Sequence, residues 1–130
     1  VSEHENLEIV FADWLDAHRR GDIDALAARL DPDAVHQGVR PELVCHGADA
    51  ILAQARRRMG RPPRVSQLAL MARGDKVLLG IAGPDFTGPD GTRPPDRMGY
   101  VVFTLRDGRI VRMDDFEGRD EAIAALRAAG

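Results

Sequence analysis

The chain is poor in cysteine, in aromatic residues and in long apolar runs, and each shortage removes a class of protein. Cys45 is the only cysteine among 130 residues, so no intramolecular disulfide can hold the fold, and a reducing compartment suits it. The longest apolar stretches, such as VLLGIAG from Val77, fall far short of the ~20 residues that a membrane helix needs, and no charged-then-apolar leader is present. The expectation is a cytoplasmic protein with no membrane partner. A formal charge of −3 supplies no broad positive field, which argues against nucleic acid as a partner. The one basic cluster, Arg56-Arg57-Arg58 with Arg61 and Arg64, falls at an expected helix end, where cations complement the dipole. There is no phosphate-cradling glycine loop, no nucleophile elbow and no recognised set of metal ligands; no cofactor and no metal are expected.

Apolar residues make up 44% and charged residues 30%, as in an ordinary globular protein, and the length suits a single domain over 1–130. Ser2 and Glu5 have the spacing of a capping box, and the following run places Leu7, Val10, Phe11, Trp14, Leu15 and His18 on one helical face. Gly21 suits a left-handed stop, and Asp22 caps a short second helix burying Ile23, Leu26 and Leu30. A brief strand is expected from Ala34 to Gln37 and a loop over VRPELVCHG. A third helix is expected from Gly47 to Met59, ended by Gly60 and the Pro62-Pro63 pair.

From Val65 the pattern turns extended: VSQLALMAR, KVLLGIAG, MGYVVFTLR and RIVRMDDF form a four-strand meander with turns at Gly74-Asp75 and Asp107-Gly108. The loop 84–97 between the middle strands is longer than a hairpin needs, and reads either as a pocket rim or as a mobile tip. EGRDEAIAALRA closes the chain with a short helix that can lie across the sheet. Helices, then strands, then a helix define an α+β domain, with amphipathic helices packed on the concave face of a curved sheet.

Several phrases in order, namely the Trp14-bearing helix, GDIDALAARLDPDAVHQG, CHGADAI and LRDGRIVRMDDFEGRDEAIAAL, resemble the nuclear transport factor 2-like superfamily, in particular its SnoaL-like branch. The resemblance implies a cone-shaped barrel of a curved, mainly antiparallel sheet on N-terminal helices, commonly a homodimer through the outer sheet face. That face would carry Leu68, Leu70, Leu78 and Val102 or their alternates. Members include ketosteroid isomerases, polyketide cyclases, epoxide hydrolases and non-catalytic modules, so the fold does not select a function.

Function must come from the polar groups facing the cone. Alternation puts Val111, Met113 and Asp115 on one face of the last strand and Ile110, Arg112, Asp114 and Phe116 on the other. Asp115, if buried there, would have a raised pKa and serve as general acid or base; otherwise it caps the turn into the last helix. The resemblance also points to an aspartate at this place as the acid/base group. His36 and Gln37 point to opposite faces, so only one of them faces the pocket. Gln37 stands near where isomerase-like relatives carry a catalytic aspartate, and an amide cannot act as a base, which argues against their mechanism. His36 remains a candidate base or a structural histidine. Trp14 and Tyr100 can line an apolar site with one hydrogen bond each, and His18 continues the Trp14 face by one turn. Cys45 and His46 point apart and make no nucleophilic pair. Two functions remain open: cofactor-independent acid/base chemistry on a small, largely apolar organic molecule, with Asp115 and His36 catalytic and Trp14, His18, Gln37 and Tyr100 binding, or a non-catalytic ligand-binding or dimerisation module.

Overall fold

A computed structural model describes residues 2–58 and 62–128. The chain opens with one continuous helix whose winding changes twice. α1 (Glu3–Glu8) is capped by the Ser2 hydroxyl, which accepts from the Glu5 amide at 3.1 Å. The helix then widens into a π segment (Ile9–Leu15) and returns to α-helix in α2 (Asp16–Arg20). The wider turn moves the buried stripe to Asn6, Ile9, Val10, Trp14 and Ala17. Phe11, expected on that stripe from 3.6-residue spacing, is instead 47% exposed. Gly21 stops the helix at φ 71°, and Asp22 caps α3 (Ile23–Arg29) by accepting from the Ala25 amide at 3.1 Å.

β1 is longer than expected, spanning Leu30–Gln37. The Asp31 carboxylate accepts from the Asp33 amide at 2.9 Å, an Asx-type turn, and the register with the neighbouring strand slips between Leu30 and Val35. Turn chemistry is therefore present inside a strand. VRPELVCHG is not all loop: β2 (Val44–His46) pairs antiparallel with β1, placing His36 opposite Cys45. α4 (Ala48–Arg58) follows, and the expected end at Met59 and Gly60 lies outside the described residues.

The meander forms as expected in β3 (Gln67–Arg73), β4 (Lys76–Ala82), β5 (Gly99–Arg106) and β6 (Arg109–Phe116). The β5–β6 turn needs positive φ at two successive positions, supplied by Asp107 and Gly108. The six strands lie in the order β2-β1-β6-β5-β4-β3, antiparallel except for the parallel β1–β6 pair. The fold is α+β, a cone-shaped, curved sheet open along its two edges and packed on the N-terminal helices.

Its concave face carries Leu70, Val77, Leu79, Val101, Phe103, Leu105, Ile110 and Met113, packed against Val10, Trp14, Leu26 and Ile51 from the helices. Ile110 corrects the simple alternation. The β5–β6 register shifts between Thr104 and Leu105, opposite Arg112 and Ile110, so a bulge at Val111 turns Ile110 into the core. On the convex face α5 (Arg119–Arg127) covers Leu78 and Val102 with Ala122 and Leu126. The Lys76 ammonium donates to the Ala125 and Ala128 carbonyls at 3.1 and 3.3 Å, capping the helix end that carries negative dipole charge. The four residues grouped on one outer face are thus divided. Leu78 and Val102 lie under the chain's own helix, while Leu70 packs into the opposite core and Leu68, two residues away on the same strand, shares its face.

Candidate functional site

Parallel pairing sets the central contact. His36 is registered against Met113, so Asp115, two residues further on, shares the concave face with His36 one step away along the strand. The His36 Nε2 lies 2.8 Å from the Asp115 Oδ1. Their side chains are 26% and 31% exposed, so the pair is half-screened rather than solvated. An ionised carboxylate can only accept, so in the neutral imidazole this contact places the proton on Nε2 and leaves Nδ1 with a lone pair. The sequence leaves Asp115 two readings, a carboxyl group desolvated among apolar neighbours or a cap on the turn into the last helix. Its carboxyl group is instead partly open to solvent and engaged by an imidazole.

The first helix adds a second imidazole. The His18 ring stands edge-on to Trp14 at 5.0 Å between centroids, and Trp14 in turn meets Phe103 edge-on at 6.4 Å. Burial, with the positive charge of Arg58 and that of His36 whenever it is protonated, pulls the His18 pKa down to about 4. At neutral pH it is an uncharged imidazole, able to give or accept a hydrogen bond without bringing charge into the site. The sequence offers Arg58 only as the close of a run of arginines at a helix end, where complementing the dipole accounts for all of them.

Gln37 and Tyr100 are not brought to this cluster. The Gln37 amide donates to the carbonyls of Gly38, Arg40 and Leu43 at 3.2, 3.0 and 3.4 Å and so folds the loop 38–43 back on β1. Tyr100 lies on the convex face with Phe116 and Ile123, its ring over Gly80, where a Cβ would come within 3.0 Å. The Cys45 thiol donates to Gln54 Oε1 at 2.9 Å, and His46 is exposed. Among the described residues no three His, Cys, Asp or Glu side chains gather to hold a metal ion. None of the described helices is long and apolar enough to cross a membrane.

Beyond the pair, a groove of about 340 Å³ runs between the loop 38–43 and the loop 84–97, lined among others by Val39, Arg40, Asp90, Arg93, Arg97 and Glu117. Val39 and Glu117 follow His36 and Asp115 closely in the chain, so the groove adjoins the end of β1 and β6 at which the pair sits. Arg93 and Glu117 are further residues that strand and helix periodicity could not single out.

A curved sheet closed by helices on its concave side, with polar groups set into an otherwise apolar wall, defines the α+β class of the domain. The sequence pattern of the SnoaL-like domain matches residues 11–113, and the chain belongs to that family. No curated protein matches it in sequence. Among solved structures it is similar to an LEH-like epoxide hydrolase of M. tuberculosis, at 24% identity and TM-score 0.65, covering 95% of this chain and 90% of that one. It is also similar to Bal32a from a soil-derived mobile gene cassette, at 19% identity and TM-score 0.67, covering 97% and 98%. A third is a SnoaL-like protein of unknown function from Burkholderia thailandensis, at 19% identity and TM-score 0.66, covering 91% and 98%. At these identities the likeness concerns the fold.

Proposed function

We propose that the protein binds a small, largely apolar organic molecule against the concave wall and transfers a proton to or from it, with His36 as the exchanging group and Asp115 as the group that positions it. The observation carrying this reading is the 2.8 Å contact between His36 Nε2 and Asp115 Oδ1 beside an apolar wall. A carboxylate that holds one imidazole nitrogen protonated leaves the other as a base, and favours the imidazolium formed when that base takes a proton. Neutral His18, braced by Trp14, would hydrogen-bond the polar end of the molecule. The chemistry fits isomerase, cyclase or hydrolase reactions that need no cofactor. A homodimer in the cytoplasm is part of the same proposal.

Hydrogen–deuterium exchange on a carbon acid tests it without knowledge of the natural substrate. A panel of cyclic enones and polycyclic ketones is incubated with the protein in D2O, and α-carbon deuteration is followed by NMR. Binding is read in parallel from the fluorescence of Trp14, the only tryptophan. Deuteration that slows by about 10²-fold or more in His36→Asn, the usual scale for loss of a general base, supports proton transfer. Saturable fluorescence changes without any deuteration favour the alternative, a binding module in which the pair is only a polar anchor.

A further inference from the structure

The loop 84–97 is tied down at three places by ion pairs that reach outside it. Arg64 grips Asp85 with both its backbone amide and its guanidinium, at 2.7, 3.2 and 3.0 Å. Arg40 from the loop 38–43 meets both oxygens of Asp90 at 3.1 Å. Arg93 pairs with Glu117, its Nε and one terminal nitrogen lying 3.2 and 3.1 Å from the two carboxylate oxygens, while its other terminal nitrogen donates to the Phe86 carbonyl at 3.2 Å.

The third tie differs from the others. The Arg93 side chain is only 11% exposed although it belongs to a surface loop. Its guanidinium lies over Gly99, where a Cβ would sit within 2.7 Å of the guanidinium carbon. Gly99 alternates with Val101 and Phe103, so the notch opens on the concave face. Val101 is registered against Asp115, which puts the Arg93 guanidinium one step along β5 from the wall that carries the His36–Asp115 pair.

We infer that the loop 84–97 is a lid over the mouth of the site, latched by Arg93, which seats in the Gly99 notch and pairs with Glu117. Opening the lid breaks that ion pair, lifts the guanidinium out of the notch and widens the approach to His36, whose side chain is 26% exposed with the latch closed. The inference concerns access to the site proposed above and does not depend on proton transfer. Its test therefore reads imidazole accessibility alone, and can fail while the catalytic reading stands, or hold while that reading falls.

Ethoxycarbonylation of histidines by diethyl pyrocarbonate, followed residue by residue by mass spectrometry, measures the opening. Exposed His4 and His46 serve as internal references. Gly99→Ala places a methyl group against the far end of a flexible side chain, so it evicts the guanidinium and leaves the backbone in place. Glu117→Gln removes the partner charge from a half-exposed position and keeps the test available if the first variant does not fold. In both variants the His36 rate, relative to His4 and His46, should rise about fivefold, the population shift that follows loss of a partly exposed ion pair. Raising ionic strength should speed modification of His36 in the wild type. Relative His36 rates unchanged in Glu117→Gln, or a wild-type rate indifferent to salt, would overturn the latch.

Discussion

His36 and Asp115 stand 79 residues apart in the chain and 2.8 Å apart in space, because β1 and β6 run parallel with His36 in register with Met113. An antiparallel neighbour would have carried the carboxylate's strand the other way past the imidazole. The register of β1 on β6, which sets Asp115 one diagonal step from His36 on the same face, thus creates the polar pair.

Asp115→Asn keeps the shape of the side chain and removes its exclusive role as an acceptor. The Nε2–H tautomer of His36 that an ionised Asp115 favours should give way to a mixture, visible in long-range ¹H–¹⁵N spectra of the imidazole. Where the wild type exchanges a carbon acid, the variant's rate should fall and its pH profile should shift. Stability should change by only about 1 kcal/mol or less, the usual worth of a partly exposed pair.

His18 makes folding sensitive to acid. Its folded pKa, about 4, lies below the ordinary value of 6.5, so the unfolded chain takes up this proton first as the solution is acidified. The contribution is fully present above about pH 6.5, is lost as pH falls toward 4, and levels off below. The loss amounts to at most about 3 kcal/mol. Denaturant melts of wild type and His18→Gln between pH 7 and 4 should show a shallower decline in the variant. Parallel curves would assign the acid sensitivity to other groups.

Trp14 and Phe11 separate the two windings of the first helix. Trp14→Ala should cost about 3–5 kcal/mol, as for a large buried aromatic, and disturb both His18 and Phe103, its edge-on neighbours. Phe11→Ser should cost about 0.5 kcal/mol or less, as for an exposed substitution. Similar large losses in thermal melts would indicate that Phe11 is buried and that the helix keeps an ordinary pitch.

The proposed homodimer should appear as a doubled mass by light scattering at micromolar concentration. With Leu78 and Val102 under α5, the edge of β3, with Leu68 38% and Met71 42% exposed, offers apolar surface to a partner. Met71→Lys should weaken the association. A single-chain mass across that range would remove the dimer.

The strands of the meander were legible because each carries an apolar run bounded by a turn pair, and β6 falls on its expected residues from Arg109 to Phe116. The early strands were harder. β1 contains Pro32 flanked by two aspartates and reads as a turn, and β2 is three residues long, too short for periodicity to register. Ile110 reached the core only through a bulge, which adds a residue that alternation cannot foresee. For the site, residue type pointed to His36 and Asp115 separately. Their contact depends on the direction in which two distant strands pair, and on a register that no local pattern encodes. Tyr100 was misleading because an amphipathic ring serves a convex face under a helix as well as a concave one.

The π segment also bears on how the chain tolerates changes in length. A wide turn holds one more residue than an α-helical turn between the same two ends, so shortening it by one restores ordinary pitch while both flanks stay on their docking faces. Deleting Phe11, the exposed member of that turn, should leave Val10 and Trp14 both facing inward, three positions apart instead of four. Within an otherwise continuous helix, where a deletion normally rotates everything downstream, this stretch is a place where the chain can lose a residue and keep His18 aimed at the site.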